Sequence, residues 1–379
     1  LLFTGQISGP VKQNVVSSGW CYYEAGDLHF QSPFAGWPGR AITLKAAQHI
    51  AADSTAAFWL LTGDHLFDED ITAQAAWRDS LLAVIDSARV PVAVVPGNHE
   101  NGRDAEDVDI ADGTLYNEFI GLVGQQWYRP YESATHRGRR WTCWRPRQRY
   151  TGAPLNALLF MGNNNAQDTT DVACYTVNNP DVGGVNNQDF DDIRSWGGKQ
   201  RRDCRACFDG LRTNDWPILG VHRAARRIIT GLDSGESARP AMEEMEIPGG
   251  ILAEADSLDR TVLVNDGDQH TTRMRKEGAH RYAFSASLTG MRGGDADSIT
   301  AAGADLYCFA FADTAGGSQA IVDSIGVTNN VQPKIGAWET WGPLWRITVT
   351  ADSVRADLLK IDLYDATAVI FTKTVALHE

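Results

Sequence analysis

Apolar runs that stop abruptly at polar residues recur along this chain. Val90 to Val95 is apolar and rich in β-branched residues, and Pro96-Gly97 ends it. Asn98, His99 and Glu100 follow at once. A short apolar run closed by Pro and Gly reads as a buried strand entering a loop. Tyr22 to Ala25 likewise run into Gly26-Asp27-Leu28-His29, and Phe58 to Leu61 into Gly63-Asp64-His65. Trp216 to Val221 run into His222, and Thr261 to Val264 into Asp266-Gly267-Asp268-Gln269-His270. Each run puts Asp, Asn or His where a strand leaves its sheet, the end at which α/β proteins bind ligands.

Between the first of these runs the spacing turns helical, at Ile42 to Ala52 and at Thr72 to Ala88. The resulting order, β-loop-α-β-α-β, predicts a parallel sheet with right-handed crossovers. Residues 1–20 read as an irregular arm. Residues 162–190, rich in Asn, Asp and Gly, read as a long surface loop. Tyr116 to Val123, Gln200 to Leu211 and residues 250–257 have helical character, and Leu155 to Met161 reads as a buried strand. Further strands are expected near 280–287, 305–311, 343–350, 353–364 and 367–375. The last three alternate, and short turns join them as an antiparallel meander. That meander is expected to complete a second sheet.

Composition narrows the picture. A chain of 379 residues, 43% hydrophobic and 22% charged, is an ordinary globular protein able to bury a large core. No stretch approaches 18 apolar residues, so no membrane-spanning helix is expected. The net charge of −14 argues against non-specific binding to nucleic acid or anionic membrane. It also repels phosphate esters, so a site for them must supply its own positive charge. The basic segment His136-Arg137-Gly138-Arg139-Arg140-Trp141, with Arg145, Arg147 and Arg149, has two readings. It is a solvated face with locally paired arginines, or a clamp for phosphate oxygens. Six cysteines permit disulfides without demanding them. Cys204 and Cys207 have C-x-x-C spacing but no second such pair, so core cysteines, or a partner elsewhere such as Cys174, are expected. The chain begins at Leu1 without a Met, so no signal peptide is read. A soluble periplasmic or secreted protein fits, but no compartment is fixed.

Oxygen and imidazole groups from several strand exits suit a hard or borderline divalent metal such as Mn, Fe, Zn or Mg. The whole pattern resembles the calcineurin-like metallophosphoesterase superfamily. That family's signature runs D-x-H, G-D, G-N-H-[DE], a lone H, then G-H-x-H. Here these are Asp27-Leu28-His29, Gly63-Asp64, Gly97-Asn98-His99-Glu100, His222 and Gly267-Asp268-Gln269-His270. The departure is Asp268, where the family usually has His.

The resemblance implies an α/β fold with two mixed β-sheets packed face to face and helices outside. It implies one domain over 1–379, with a long insertion at about 101–215 and an antiparallel β C-terminal part at about 340–379. It further implies two divalent metal ions (Mn, Fe, Zn or Mg) and hydrolysis of a small-molecule phosphate ester, monoester or diester, by a metal-bound hydroxide. Asp27, His29 and His270 would hold the first ion. Asp64 would bridge the two, since a bridging ligand needs charge and two free oxygens. Asn98, His222 and Asp268 would hold the second, and oxygen at Asp268 favours Mn, Mg or Fe there over Zn. His99 would protonate the leaving oxygen, and Glu100 would orient an imidazole. His65 reads as a loop histidine of no special role. Two narrower subfamilies are not supported. Gly63-Asp64-His65-Leu66-Phe67-Asp68-Glu69 lacks the Arg and closing Gly of protein Ser/Thr phosphatases. Phe67 also stands where purple acid phosphatases need Tyr. The competing readings are a non-catalytic metal-binding or interaction protein on a degenerate fold, and a nuclease using the basic segment.

Overall fold

The computed structural model describes residues 19–30, 38–65, 71–95, 97, 131–136, 139–162, 204–222, 251–267, 272–277, 280–288, 306–309 and 341–378. The expected arm, the 116–123 helix and almost all of the 162–190 loop lie outside them. The first sheet contains β1 (Trp20–Ala25), β2 (Ala56–Thr62), β3 (Val92–Val95), β12 (Trp341–Val349), β13 (Ser353–Asp362) and β14 (Ala368–Ala376). Its order is β14-β13-β12-β1-β2-β3. The second contains β4 (Tyr131–His136), β5 (Arg139–Trp144), β6 (Ala157–Met161), β7 (Trp216–Gly220), β8 (Val262–Asp266), β9 (Thr272–Glu277), β10 (Arg281–Ser285) and β11 (Leu306–Phe309). Its order is β11-β9-β10-β8-β7-β6-β5-β4.

The sheets are mixed, and they pack face to face. β1, β2 and β3 run parallel, with α1 (Gly39–Ala52) and α2 (Ile71–Asp86) as crossovers. Trp20, Tyr22, Phe58 and Leu60 pack against Trp216, Leu263, Phe284 and Trp345 between the sheets. Tyr22 and Phe58 stack there at 4.9 Å between ring centroids. On the outer face, Tyr23, Trp59 and Leu61 meet Ile42, Ala46 and Ile50, whose i, i+4, i+8 spacing makes one stripe of α1. The second sheet buries Phe160, Leu219 and Val264 under Phe208 of a helical segment at 204–209 and Ala255 of α3 (Ile251–Asp256). β2 is buried on both faces, so it reads as an unbroken apolar run rather than an alternating one.

One expectation is corrected. The antiparallel meander β12–β13–β14 does not complete the second sheet. It extends the first, because β12 pairs antiparallel with β1 from Trp20 opposite Val349 to Glu24 opposite Trp345. Trp345, Ile347 and Val349 then share the inter-sheet layer with Trp20 and Tyr22. The second sheet draws instead on the β4–β5 hairpin and on β9, neither of which was expected.

Two devices fasten the strand-entry end and the outer face. Asp53, just after α1, accepts hydrogen bonds from Tyr23 Oη (2.8 Å) and Arg346 Nε (2.9 Å). Burial alone would raise its pKa. Hydrogen bonds from Thr55 and Tyr23 and the Arg346 charge outweigh that and hold it well below the usual range. On the outer face of the second sheet, Cys207 forms a disulfide with Cys143 of β5, Cα–Cα 5.6 Å. Cys204 is buried beside it, so the C-x-x-C pair is not a redox pair of its own.

Candidate metal centre

The exits of β1 and β2 are stitched together beyond the last strand residues. Asp27 N–H donates to Gly63 O (3.0 Å), His29 N–H to Asp64 O (3.0 Å) and Phe30 N–H to His65 O (2.9 Å). To make these contacts the backbone turns left-handed at Asp27 (φ 48°), His29 (φ 39°) and Asp64 (φ 51°). Positive φ is uncommon outside glycine, and it persists where surrounding structure enforces it, typically at functional sites. All three side chains are buried.

The second sheet supplies His222, which follows β7 directly. Its Nδ1 lies 2.7 Å from the Thr62 carbonyl oxygen at the end of β2. A carbonyl only accepts, so Nδ1 carries the proton. In the neutral ring, Nε2 then presents its lone pair. Nε2 lies 3.3 Å from Asp64 Oδ1. An imidazole lone pair and a carboxylate oxygen at that distance repel each other unless a proton or cation sits with them. A ring N–H bonded to a backbone carbonyl is also the usual arrangement behind a metal-ligating imidazole.

Asp27, Asp64 and His222 each offer a ligand atom, and these atoms lie within 4.8 Å of one another. Two carboxylates and an imidazole suit Mn, Fe, Zn or Mg. The donors present therefore fit a divalent ion. Glycines let them approach. Gly63 has φ +94°, and a Cβ there would collide with the His222 ring and lie 2.8 Å from Gly97 Cα. A Cβ on Gly267 would lie 3.3 Å from both Asp27 Oδ1 and His222 Nδ1. Gly267 N–H also donates to His222 O, at 2.7 Å.

Residues 23–200 match the family model of the calcineurin-like phosphoesterases. Over that stretch, just under half of its length, the chain is similar to this family. No curated protein sequence matches it. Among solved structures it is similar to a purple acid phosphatase from yellow lupin (Lupinus luteus) seeds. That likeness has 13% identity and a TM-score of 0.53, over 96% of this chain and 54% of the lupin chain. The chain thus spans about half the length of that relative. A dimetal phosphatase from Danio rerio matches over 95% of this chain and 99% of its own, at 10% identity and a TM-score of 0.44. At 13% identity the likeness to the lupin protein is one of fold.

Among the described residues, Asp27, Asp64 and His222 come together. His29 is buried in the same loop but is not one of the three whose ligand atoms converge. Asn98, His99, Glu100, Asp268 and His270 lie outside the described residues. The basic segment divides. Arg145 donates to Asp215 Oδ2 (2.7 Å) and to the Ala157 and Gly210 carbonyls. Arg147 donates to Gly152 O, and Arg149 to Ala51 O. These partners lie where β2, β6 and β7 begin, opposite the exits that carry Asp27, Asp64 and His222, so the clamp reading fails for these three arginines. The backbone of Arg139 and Arg140 lies at the exit end, because β5 runs antiparallel to β6 and Thr142 is opposite Met161.

One further buried acid lies beside these residues and was not expected. Glu24 is fully buried among the inter-sheet side chains. The Thr62 hydroxyl lies 3.1 Å from both Glu24 Oε1 and the Asp266 carbonyl oxygen. Burial first, then the Asp266 carboxylate and also Asp27, push the Glu24 pKa well above the usual value, against the Thr62 hydrogen bond. Its only sequence signal is an acid inside the apolar run from Tyr22 to Ala25.

Gly63→Ala is expected to force the His222 ring aside. Metal affinity should fall about 10-fold or more, as when a ligand's supporting contacts are lost, and the strained backbone should cost about 1–3 kcal/mol. Metal titration and thermal unfolding in chelator check both effects, and affinity equal to wild type would remove the cradle argument. Glu24 gives a pH test. Its unfolded carboxyl ionises near about 4.3, whereas folding holds the proton to higher pH. Folding therefore takes up a proton above that pH, and stability falls as pH rises through the window. Glu24→Gln should be the more stable protein at neutral pH in chelator, with the gap closing toward acid. Melting curves across that range that stay parallel would contradict it.

Proposed function

We propose that the protein hydrolyses phosphate esters, monoester or diester, at a two-metal centre. The observation that carries this is the meeting of Asp27, Asp64 and His222, with His222 Nε2 facing Asp64 Oδ1, at strand exits from both sheets. On this reading Asp27, His29 and His270 would hold one divalent ion, Asn98, His222 and Asp268 would hold the other, and Asp64 would serve both. When bound, two such ions activate water and neutralise charge on the phosphoryl group. The chain's own residues do the rest. Buried carboxylates fix the ions, and the Thr62 carbonyl fixes the His222 tautomer. His99 gives its proton to the ester oxygen as the P–O bond breaks, so that the alcohol leaves neutral. The substrate class is a small-molecule phosphate ester. Residues 1–379 are read as one catalytic domain.

The Cys143–Cys207 disulfide supports an oxidising compartment, periplasmic or extracellular. Among the described residues no helix is long and apolar enough to cross a membrane.

Purified protein should bind two divalent ions per chain and hydrolyse an aryl phosphate monoester or diester, with activity lost on chelation and regained with Mn, Fe, Zn or Mg. His99→Ala should keep both ions and lose about 10²–10⁴-fold in turnover, the range for a general acid. Metal binding without hydrolysis of either ester would favour the non-catalytic reading, and activity untouched by chelation would refute the metal mechanism.

Asp268 tests the departure from the family pattern. Asp268→Ala should lose or loosen one ion while the other stays, and Asp268→His should shift preference toward Zn, following ligand softness. Metal titration of the three proteins decides it. Two ions held as tightly in Asp268→Ala as in wild type would make Asp268 a turn residue.

A further inference from the structure

Thr62 ends β2 and is fully buried. Its hydroxyl donates to Glu24 Oε1 of β1 and to the Asp266 carbonyl oxygen of β8, both at 3.1 Å. Its carbonyl accepts from the His222 ring, just after β7, at 2.7 Å. Glycines on two neighbouring exits make room for it. A Cβ on Gly26 would lie 2.5 Å from Thr62 Oγ1, and one on Gly267 would lie 3.0 Å from Thr62 O. Gly26 immediately precedes Asp27. Gly267 immediately follows Asp266, and its N–H donates to His222 O at 2.7 Å.

One hydroxyl thus joins strands of different sheets, since β1 lies in the first and β8 in the second. Valine has the same shape and suits a buried strand as well, so packing alone does not call for a hydroxyl here. The two buried acceptors do, because an acceptor left without a donor inside a protein is costly. By bonding Glu24 and Asp266 at once, the hydroxyl sets the spacing of β1 and β8. Asp27 stands on the loop that continues β1, and His222 is bonded to the residue that continues β8. We propose that Thr62 is a positioning residue of the metal centre, and that its hydroxyl sets Asp27 and His222 against each other. The inference rests on the reading that Asp27, Asp64 and His222 hold metal, and it is the same for one ion or two. The β-branched side chain suits the task, because its rotamer is restricted and the hydroxyl keeps its direction.

The test is titration of chelator-stripped protein with Mn²⁺, read as heat and independent of turnover. The binding at issue is that which Asp64→Asn weakens. Thr62→Val keeps the shape without the donor, and Thr62→Ser keeps the donor without the methyl. Thr62→Val should weaken that binding by about 10–100-fold, the usual effect of losing a partner that orients ligands, and Thr62→Ser should stay within about threefold of wild type. A residue that only filled the core would give the reverse order. Should Thr62→Val not fold, Thr62→Ala takes its place, since it differs from Thr62→Ser by the hydroxyl alone. Binding in Thr62→Val as tight as in wild type, or Thr62→Ser weakened as much as Thr62→Val, would overturn the role of the hydroxyl and leave the metal reading standing. A wild type that binds no Mn²⁺, or binding that Asp64→Asn leaves unchanged, would overturn the metal reading, and this inference with it.

Discussion

The hydrogen bond from His222 Nδ1 to the Thr62 carbonyl is the contact on which the centre depends. It runs from the exit of β7 in one sheet to the last residue of β2 in the other. Facing sheets stand about 10 Å apart, so the bond forms only if the inter-sheet layer sets both separation and register. Tyr22, Phe58, Trp216 and Trp345 fill that layer with large rings. Near the exit the sheets must come closer. Gly220 allows this, because a Cβ there would already lie 3.1 Å from Val95 Cγ2 and 3.3 Å from Leu60 Cδ1. Core packing thereby fixes the tautomer of one imidazole and aims its other nitrogen at Asp64.

The centre concentrates cost. Asp27, His29 and Asp64 sit in left-handed backbone, at about 1–3 kcal/mol each for a non-glycine residue. Asp27, Asp64 and Asp266 are buried carboxylates around the same exits. Glu24 lies behind them, and burial with the Asp266 and Asp27 charges raises its pKa well above the usual value. Such an assembly persists because the strands beneath it are rigid. Backbone bonds continue past the ends of β1 and β2, and at the exit of β10 Gly26 N–H donates to Ala286 O (2.7 Å) and Leu288 N–H to Gly26 O (3.2 Å). A divalent ion among the carboxylates would remove most of their mutual repulsion, so metal binding and local stability should be linked.

Much of this was legible in the sequence, for identifiable reasons. Strands buried on both faces leave unbroken apolar runs, and their abrupt ends mark Asp27, Asp64 and His222 directly. β9 hid because Met274 is its one apolar residue. The β4–β5 hairpin hid because its arginines suggested a surface patch. Alternation along β12 marked a strand but carried nothing about its neighbour, so the meander was placed in the wrong sheet. The partner of Cys207 is Cys143, 64 residues away, and no spacing rule finds such a pair. Glu24 was missed because its contacts to Thr62 and the Asp266 charge exist only once the strand exits are side by side.

Charge constrains the order of events on the two-metal reading. The chain carries a net charge of −14, and its described exit end gathers Asp27, Asp64 and Asp266. Arg145, Arg147 and Arg149 cannot offset these acids, since they are bound to groups at the strand-entry end. A phosphate ester approaching the metal-free exit would meet these buried carboxylates, and like charges repel. Each divalent ion brings two positive charges to the same place and reverses that field. On that reading, metal loading would precede substrate binding.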